Sequence, residues 1–134
     1  MRISKMKIIL FIILFLFLVG FVWGAVYLKN VADYKQTVKE TTFNEINVAD
    51  ISDGIYIGEY DVNFIYAKVE VTVENGKIIN INILKHRHER GKAAETVIDK
   101  IIDEQKIDVD AISGATNSST VIKKAVENAL KGEQ

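Results

Sequence analysis

The segment "FIYAKVEVTVENGKIININIL" (Phe64–Leu84) decides the fold, because apolar and polar residues alternate on both sides of a turn dipeptide. Asn75 and Gly76 form that dipeptide, and both tolerate the positive φ angles that a tight hairpin requires. Alternation with a period of two is typical of strands that bury one face and expose the other. The residues expected on the buried face are Val69, Val71, Val73, Ile79, Ile81 and Ile83. The segment therefore predicts a β-hairpin.

The elements around this hairpin complete the predicted fold. Upstream, "DGIYIGEY" (Asp53–Tyr60) begins with a turn dipeptide and continues with β-branched and aromatic residues, which favours a strand. Downstream, two sets of apolar residues recur with the spacing of one helix face. The first set is Ala93, Ala94, Val97, Ile98, Ile101 and Ile102, and the second is Val121, Ile122, Ala125, Val126, Ala129 and Leu130. We predict an α+β fold, a small twisted antiparallel sheet packed by helices.

Composition excludes several classes of function. The 134 residues include no cysteine, which rules out disulfides, thiolate chemistry and cysteine-ligated metal clusters. The 17 basic and 18 acidic residues nearly cancel, so we expect no nucleic acid partner.

The run "IILFIILFLFLVGFVWGAVYL" (Ile8–Leu28) contains no charged residue. As a helix it is about 30 Å long, which matches the hydrocarbon core of a bilayer. Arg2, Lys5 and Lys7 precede it and Lys29 follows, so the positive-inside rule places the N-terminus in the cytoplasm. We predict a cytoplasmic N-terminus (1–7), one transmembrane helix in the lipid (8–28), a stalk (29–49) and an extracytoplasmic domain (50–134). The alternative is a cleaved signal peptide, whose apolar region is usually shorter.

The segment "VDAISGATNSST" (Val109–Thr120) concentrates hydroxyl groups just before the last predicted helix. One interpretation is local, since Thr116 or Asn117 would cap that helix. The other is functional, because a helix start with glycine and hydroxyls is suited to a phosphate group. Five hydroxyls between Ser113 and Thr120 exceed the need of one cap, but the residues alone do not name a ligand.

The segment "DAISGAT" (Asp110–Thr116) resembles the D-x-x-S/T-G-A-T motif of FMN-binding domains, at which FMN is covalently attached. Those domains occur in subunits of sodium-pumping quinone reductases, in related redox complexes and in small membrane-anchored flavoproteins. The resemblance extends over roughly residues 50–131. It implies that Thr116 accepts FMN as a phosphoester, installed by a flavin transferase that uses FAD. The residues that would shape the segment are Asp110, Ser113, Gly114 and Ala115, and Ser118 lies where the phosphate would rest.

The same resemblance gives a meaning to "KHRHERGK" (Lys85–Lys92), where His86, His88 or Arg90 would lie near the flavin or its phosphate. The alternative is a solvated charged turn, and a metal site formed by the two histidines with Glu89 lacks further ligands. Some of the early aromatic residues would stack on the flavin ring, but spacing does not choose among them. They are Tyr56, Tyr60, Phe64 and Tyr66.

The function that follows is that of a membrane-anchored electron carrier, facing the exterior, between a membrane donor and an exterior acceptor. A covalent link suits that location, because a dissociating flavin would be lost from the cell. Two alternatives stay open. The domain would hold flavin non-covalently as a sensor or regulator, or would bind no flavin and serve as an anchored docking module.

Overall fold

The structure is a computed structural model that describes residues 3–88 and 91–132. Its contacts divide the chain into two compact units, Met1–Asp33 and Tyr34–Gln134. The helices are α1 (Lys5–Glu40), α2 (Val97–Glu104) and α3 (Thr116–Lys131). The strands are β1 (Gly54–Asp61), β2 (Tyr66–Glu74) and β3 (Lys77–Arg87). Over the described residues this is the α+β arrangement that the sequence predicted.

The first unit consists of most of α1. An 18-residue window of this helix has a mean hydropathy of 2.9, and none of that window is buried within the protein. By length and composition alone α1 is apolar enough to cross a membrane, and a signal sequence would have the same properties.

The sheet has the order β1-β2-β3, with both neighbouring pairs antiparallel. Asn75 and Gly76 connect β2 to β3 with φ angles of 51° and 72°, as expected for a hairpin turn with two left-handed residues. Val69, Val71 and Val73 are at most 1% exposed. The prediction of the hairpin and of its valine face is confirmed.

The prediction for the isoleucines of β3 was only partly right. Two register shifts leave Ile79 and Leu84 without partners on β2, so each is an extra residue in β3. The first bulge brings Ile78 to the buried face with Ile81, while Ile79 is 48% exposed. The apolar–polar alternation in the sequence continues through the bulge. For this reason the pattern assigned Ile79 rather than Ile78 to the buried face.

Helix α3 packs across β1 and β2, and α2 packs beside β3 and α3. Every apolar residue predicted for the buried face of α3 is buried. In the preceding helix Ala94, Val97 and Ile101 are buried, and its first turn, Lys92–Thr96, is a 3₁₀ helix. Gly58 lets α3 approach β1, because a Cβ there would lie 2.2 Å from the backbone nitrogen of Ala129.

The second unit begins earlier than the boundary expected at Asp50. Tyr34 and Val38 are buried at 9% and 6% exposure, although both belong to α1. The chain after α1 is held to α3 by the carboxylate of Glu127, which accepts a hydrogen bond of 3.0 Å from the backbone N–H of Asn44. The segment expected as a stalk therefore contributes packing to the domain.

Candidate functional site

The conspicuous feature at the start of α3 is a missing cap. Thr116 is the first helical residue, and Ala115 occupies the N-cap position with φ −137° and ψ 40°. No side chain makes a capping hydrogen bond there. The interpretation of Thr116 or Asn117 as the helix cap is therefore wrong.

The missing cap leaves backbone donors available. The first N–H of this region with a helical acceptor is that of Ser119, which bonds to the carbonyl oxygen of Ala115 at 2.9 Å. Within residues 3–88 and 91–132, no acceptor bonds to the N–H groups of residues 116–118. Free N–H groups at the positive end of a helix dipole favour an anion. The exposed hydroxyl of Thr116 lies directly at this position.

The five hydroxyls of the segment have different environments. The Ser119 hydroxyl accepts from the N–H of Ile112 at 3.0 Å and donates to the carbonyl of Ala115 at 2.8 Å, so it shapes the loop. Thr120 donates to the carbonyl of Thr116. Ser118 is 4% exposed, whereas Ser113 and Thr116 are exposed. Two of the five hydroxyls thus have a structural role, and Thr116 remains the one at the uncapped helix start.

A cleft of about 390 Å³ lies on one side of Thr116. Its lining residues are Tyr34, Ile65, Gly91, Gly114, Ala115, Thr116, Asn117 and Ser118. Gly91 is required for close packing, because a Cβ there would lie 1.9 Å from the Ser118 hydroxyl oxygen. The volume is within the range of small-molecule sites.

Gly114 has a different reason to be glycine. Its φ is +79°, a left-handed conformation that costs other residues about 1 kcal/mol or more. A Cβ at this position would have no neighbour within 4 Å. Conformation therefore selects glycine here, and the space beside it is open toward Thr116.

A second cleft of about 450 Å³ also borders Thr116. It is lined by Lys35, Val38, Lys39, Thr41, Phe43, Thr116, Asn117 and Thr120. Lys35 and Lys39 are one helical turn apart, so both present their charge on the same side of α1. Thr116 and Asn117 are shared by the two clefts.

The other predicted site residues lie farther from Thr116. Asp110 and Ser113 are exposed on the loop before α3 and line neither cleft. His88 lies beside the first cleft, where its Nδ1 accepts a hydrogen bond of 2.9 Å from the N–H of Gly91. Arg90 and Glu89 lie outside the described residues.

His86 and His88 form a pair, with ring centroids 4.4 Å apart. Both ring nitrogens of His86 are buried, and no described residue bonds to them. Burial, reinforced by the neighbouring His88, lowers the pKa of His86 from its usual value, although Glu95 acts in the opposite direction. Among the described residues no group of three histidines or carboxylates is placed to hold a metal ion.

The four aromatic residues considered for ring stacking line neither cleft. Tyr56 donates to the carbonyl of Ser52, and Tyr66 donates to the Glu59 carboxylate, a bond that raises the Tyr66 pKa. Phe64 packs against Tyr34 with ring centroids 5.1 Å apart. Tyr34 lines the first cleft and Phe43 the second, and sequence reasoning missed both. The i, i+4 spacing of Tyr34 and Val38 was the available sequence signal for Tyr34.

Comparison with known proteins identifies a family whose model covers this part of the chain. The model of the FMN-binding domain family matches residues 66–131, which include the hairpin, α2, the hydroxyl-rich loop and α3. An uncharacterized protein of Treponema pallidum (strain Nichols) is 28% identical over 121 residues, which cover 87% of this chain. The matched part is 34% of that protein's length. No solved structure matches the chain.

Proposed function

Residues 66–131 belong to the FMN-binding domain family, whose cofactor is FMN, and on this premise we propose that Thr116 carries FMN as a phosphoester. The observation that carries this proposal is the exposed Thr116 hydroxyl at an uncapped helix start, with two clefts beside it. The residues present fit the group. Free N–H groups suit its phosphate, and the cleft with Tyr34 and Ile65 suits an aromatic ring.

The chemistry of attachment requires little from the chain itself. The Thr116 oxygen forms a bond to the flavin-side phosphorus of FAD, the bond to the adenylate half breaks, and AMP leaves. The hydroxyl proton passes to a base of the flavin transferase. The chain contributes an exposed hydroxyl, an open approach over Gly114 and backbone donors that stabilise the phosphate charge.

The role that fits this arrangement is electron transfer outside the cytoplasm. Bound flavin supplies the redox chemistry, and the fold determines where that chemistry takes place. The apolar part of α1 anchors the chain, and the basic residues before it direct residues 29–134 to the exterior. A membrane donor and an exterior acceptor are the partners of this proposed carrier.

Flavin content after denaturation tests the attachment. Protein from cells that contain the transferase is denatured, separated by gel electrophoresis and inspected for flavin fluorescence. We expect a fluorescent band, a dark band for Thr116→Ala, and a fluorescent band for the matched control Thr120→Ala, one turn along α3. Peptide mapping is expected to find the mass of FMN, less one water, on Thr116.

The other outcomes have distinct meanings. Flavin that purifies with the native protein but leaves on denaturation supports the non-covalent sensor. Colourless native protein from flavin-replete cells supports the docking module. Fluorescence that persists in Thr116→Ala contradicts the assignment of the acceptor.

Orientation is measurable because the chain contains no cysteine. Lys106 is 62% exposed in its side chain, so Lys106→Cys provides a single thiol in the domain. We expect a membrane-impermeant maleimide to label Lys106→Cys in intact cells and to leave Ser4→Cys unlabelled until the cells are lysed. The reverse pattern contradicts the exterior location.

A further inference from the structure

The C-terminal end of α1 and Thr116 line the same two clefts. Tyr34 and Ile65 line the first cleft together with the segment from Gly114 to Ser118. One residue farther along α1, Lys35 lines the second cleft, and Lys39 joins it one turn later. The end of α1 therefore contributes to both clefts that meet at Thr116.

Contacts after α1 keep this end in place. Thr41 and Tyr60 share a hydrogen bond of 3.2 Å between their hydroxyls, and the ammonium of Lys124 donates to the carbonyl of Thr42 at 3.1 Å. Tyr34 itself packs on Phe64, with an angle of 55° between the two rings. These contacts fix Tyr34 beside the cleft rather than leaving it on a loose connection.

The two clefts differ in chemistry, and this difference orients a flavin linked to Thr116. Tyr34 and Ile65 offer apolar surface in the first cleft, where an aromatic ring system is well accommodated. The second cleft combines the ammonium groups of Lys35 and Lys39 with the apolar side chains of Val38 and Phe43. In the described part of the chain, no carboxylate forms an ion pair with either lysine. A phosphate oxygen is favoured beside the two lysines, which leaves the ring for the first cleft, where no described lining residue is charged.

We propose that the end of α1 is one wall of the flavin site and that Tyr34 contacts the isoalloxazine ring. This inference rests on the proposed attachment of FMN to Thr116. According to this proposal, the end of α1 that follows the apolar segment belongs to the cofactor site and is not merely a spacer. Tyr34 acts as a ring-binding residue, and the packing on Phe64 holds it in the required position.

Flavin fluorescence in the native protein tests the contact, because a tyrosine against an excited flavin quenches it by donating an electron. The full chain is purified in mild detergent from cells that contain the transferase. Native fluorescence is divided by the amount of covalent flavin measured after denaturation. We expect wild-type protein to be strongly quenched and Tyr34→Phe to be severalfold brighter, because phenylalanine keeps the packing but does not donate an electron.

Two further variants complete the test. Tyr34→Trp is expected to remain quenched, and Tyr56→Phe, whose hydroxyl bonds to Ser52 away from both clefts, is expected to match wild type. Protease resistance equal to wild type shows that each variant is folded. Native fluorescence that is unquenched in wild type, or unchanged in Tyr34→Phe, overturns the proposal that Tyr34 contacts the flavin ring. A wild-type chain with no covalent flavin overturns the attachment instead, so the two failures are distinguishable.

Discussion

Replacing Gly58 with alanine tests how closely α3 lies on β1. The added Cβ would be 2.2 Å from the Ala129 nitrogen and 2.4 Å from the Ala125 carbonyl oxygen. Both are backbone atoms of a helix, so no rotamer change relieves the contact. To restore ordinary van der Waals distances, α3 would have to move away from β1 by more than an ångström.

The expected cost follows from that displacement. Adding one methyl group to a close-packed interior usually costs about 1–3 kcal/mol. Gly58→Ala belongs at the upper end, about 3 kcal/mol, because the strand and helix must separate along their contact. Gly54→Ala is the matched control in the same strand. The atoms nearest to its Cβ would be those of the Tyr56 side chain at 3.6 Å, an ordinary van der Waals distance, so we expect a change within about 0.5 kcal/mol.

Pulse proteolysis across a urea series measures the free energy of unfolding for the full chain in mild detergent. We expect the midpoint of Gly58→Ala to fall well below those of wild type and Gly54→Ala. If the two variants unfold at the same urea concentration, α3 does not lie on β1 as closely as described here. The packing that positions the start of α3 would then need another explanation.

Two further predictions concern buried polar groups. Glu127 is fully buried and accepts hydrogen bonds from Asn44 and Lys124, so Glu127→Ala is expected to lower the free energy of unfolding by about 3 kcal/mol. Glu127→Gln, which keeps an acceptor, should cost less in the same urea series, and equal costs would contradict this account. The lowered pKa of His86 means that the folded chain binds fewer protons than the unfolded chain below about pH 6.5. Stability is therefore expected to fall as pH drops through that range, and His86→Phe should flatten the decline measured by thermal melts at a series of pH values. An unchanged pH slope in His86→Phe would contradict this account.

The success of sequence reasoning varied with the range of the interactions involved. The hairpin was predictable because Asn75-Gly76 is a local turn signal and the valines before it alternate regularly. The bulges at Ile79 and Leu84 were not, since an extra residue in one strand is defined only by the register of its partner. The interior face of α3 was predictable from its period alone, because each apolar position is buried.

For the site, too, features defined by local sequence were predictable and features defined by tertiary contacts were not. Thr116 was proposed from a short contiguous motif, and in the structure it is the first residue of α3. The absence of a cap could not be predicted, because threonine and asparagine both favour that position. Tyr34 was missed because its approach to the cleft depends on tertiary contacts of the following segment with α3 and β1. A mostly polar sequence gives little indication of such docking.

The two bulges of β3 have a consequence for crowding. Strand β3 is at an edge of the sheet and is 11 residues long, so its outer backbone groups would offer a template to the edge of another molecule. Each bulge interrupts the regular spacing of those groups and increases the local twist. Neighbouring copies therefore find no long straight edge to extend, and the irregularity protects them from aggregating strand to strand.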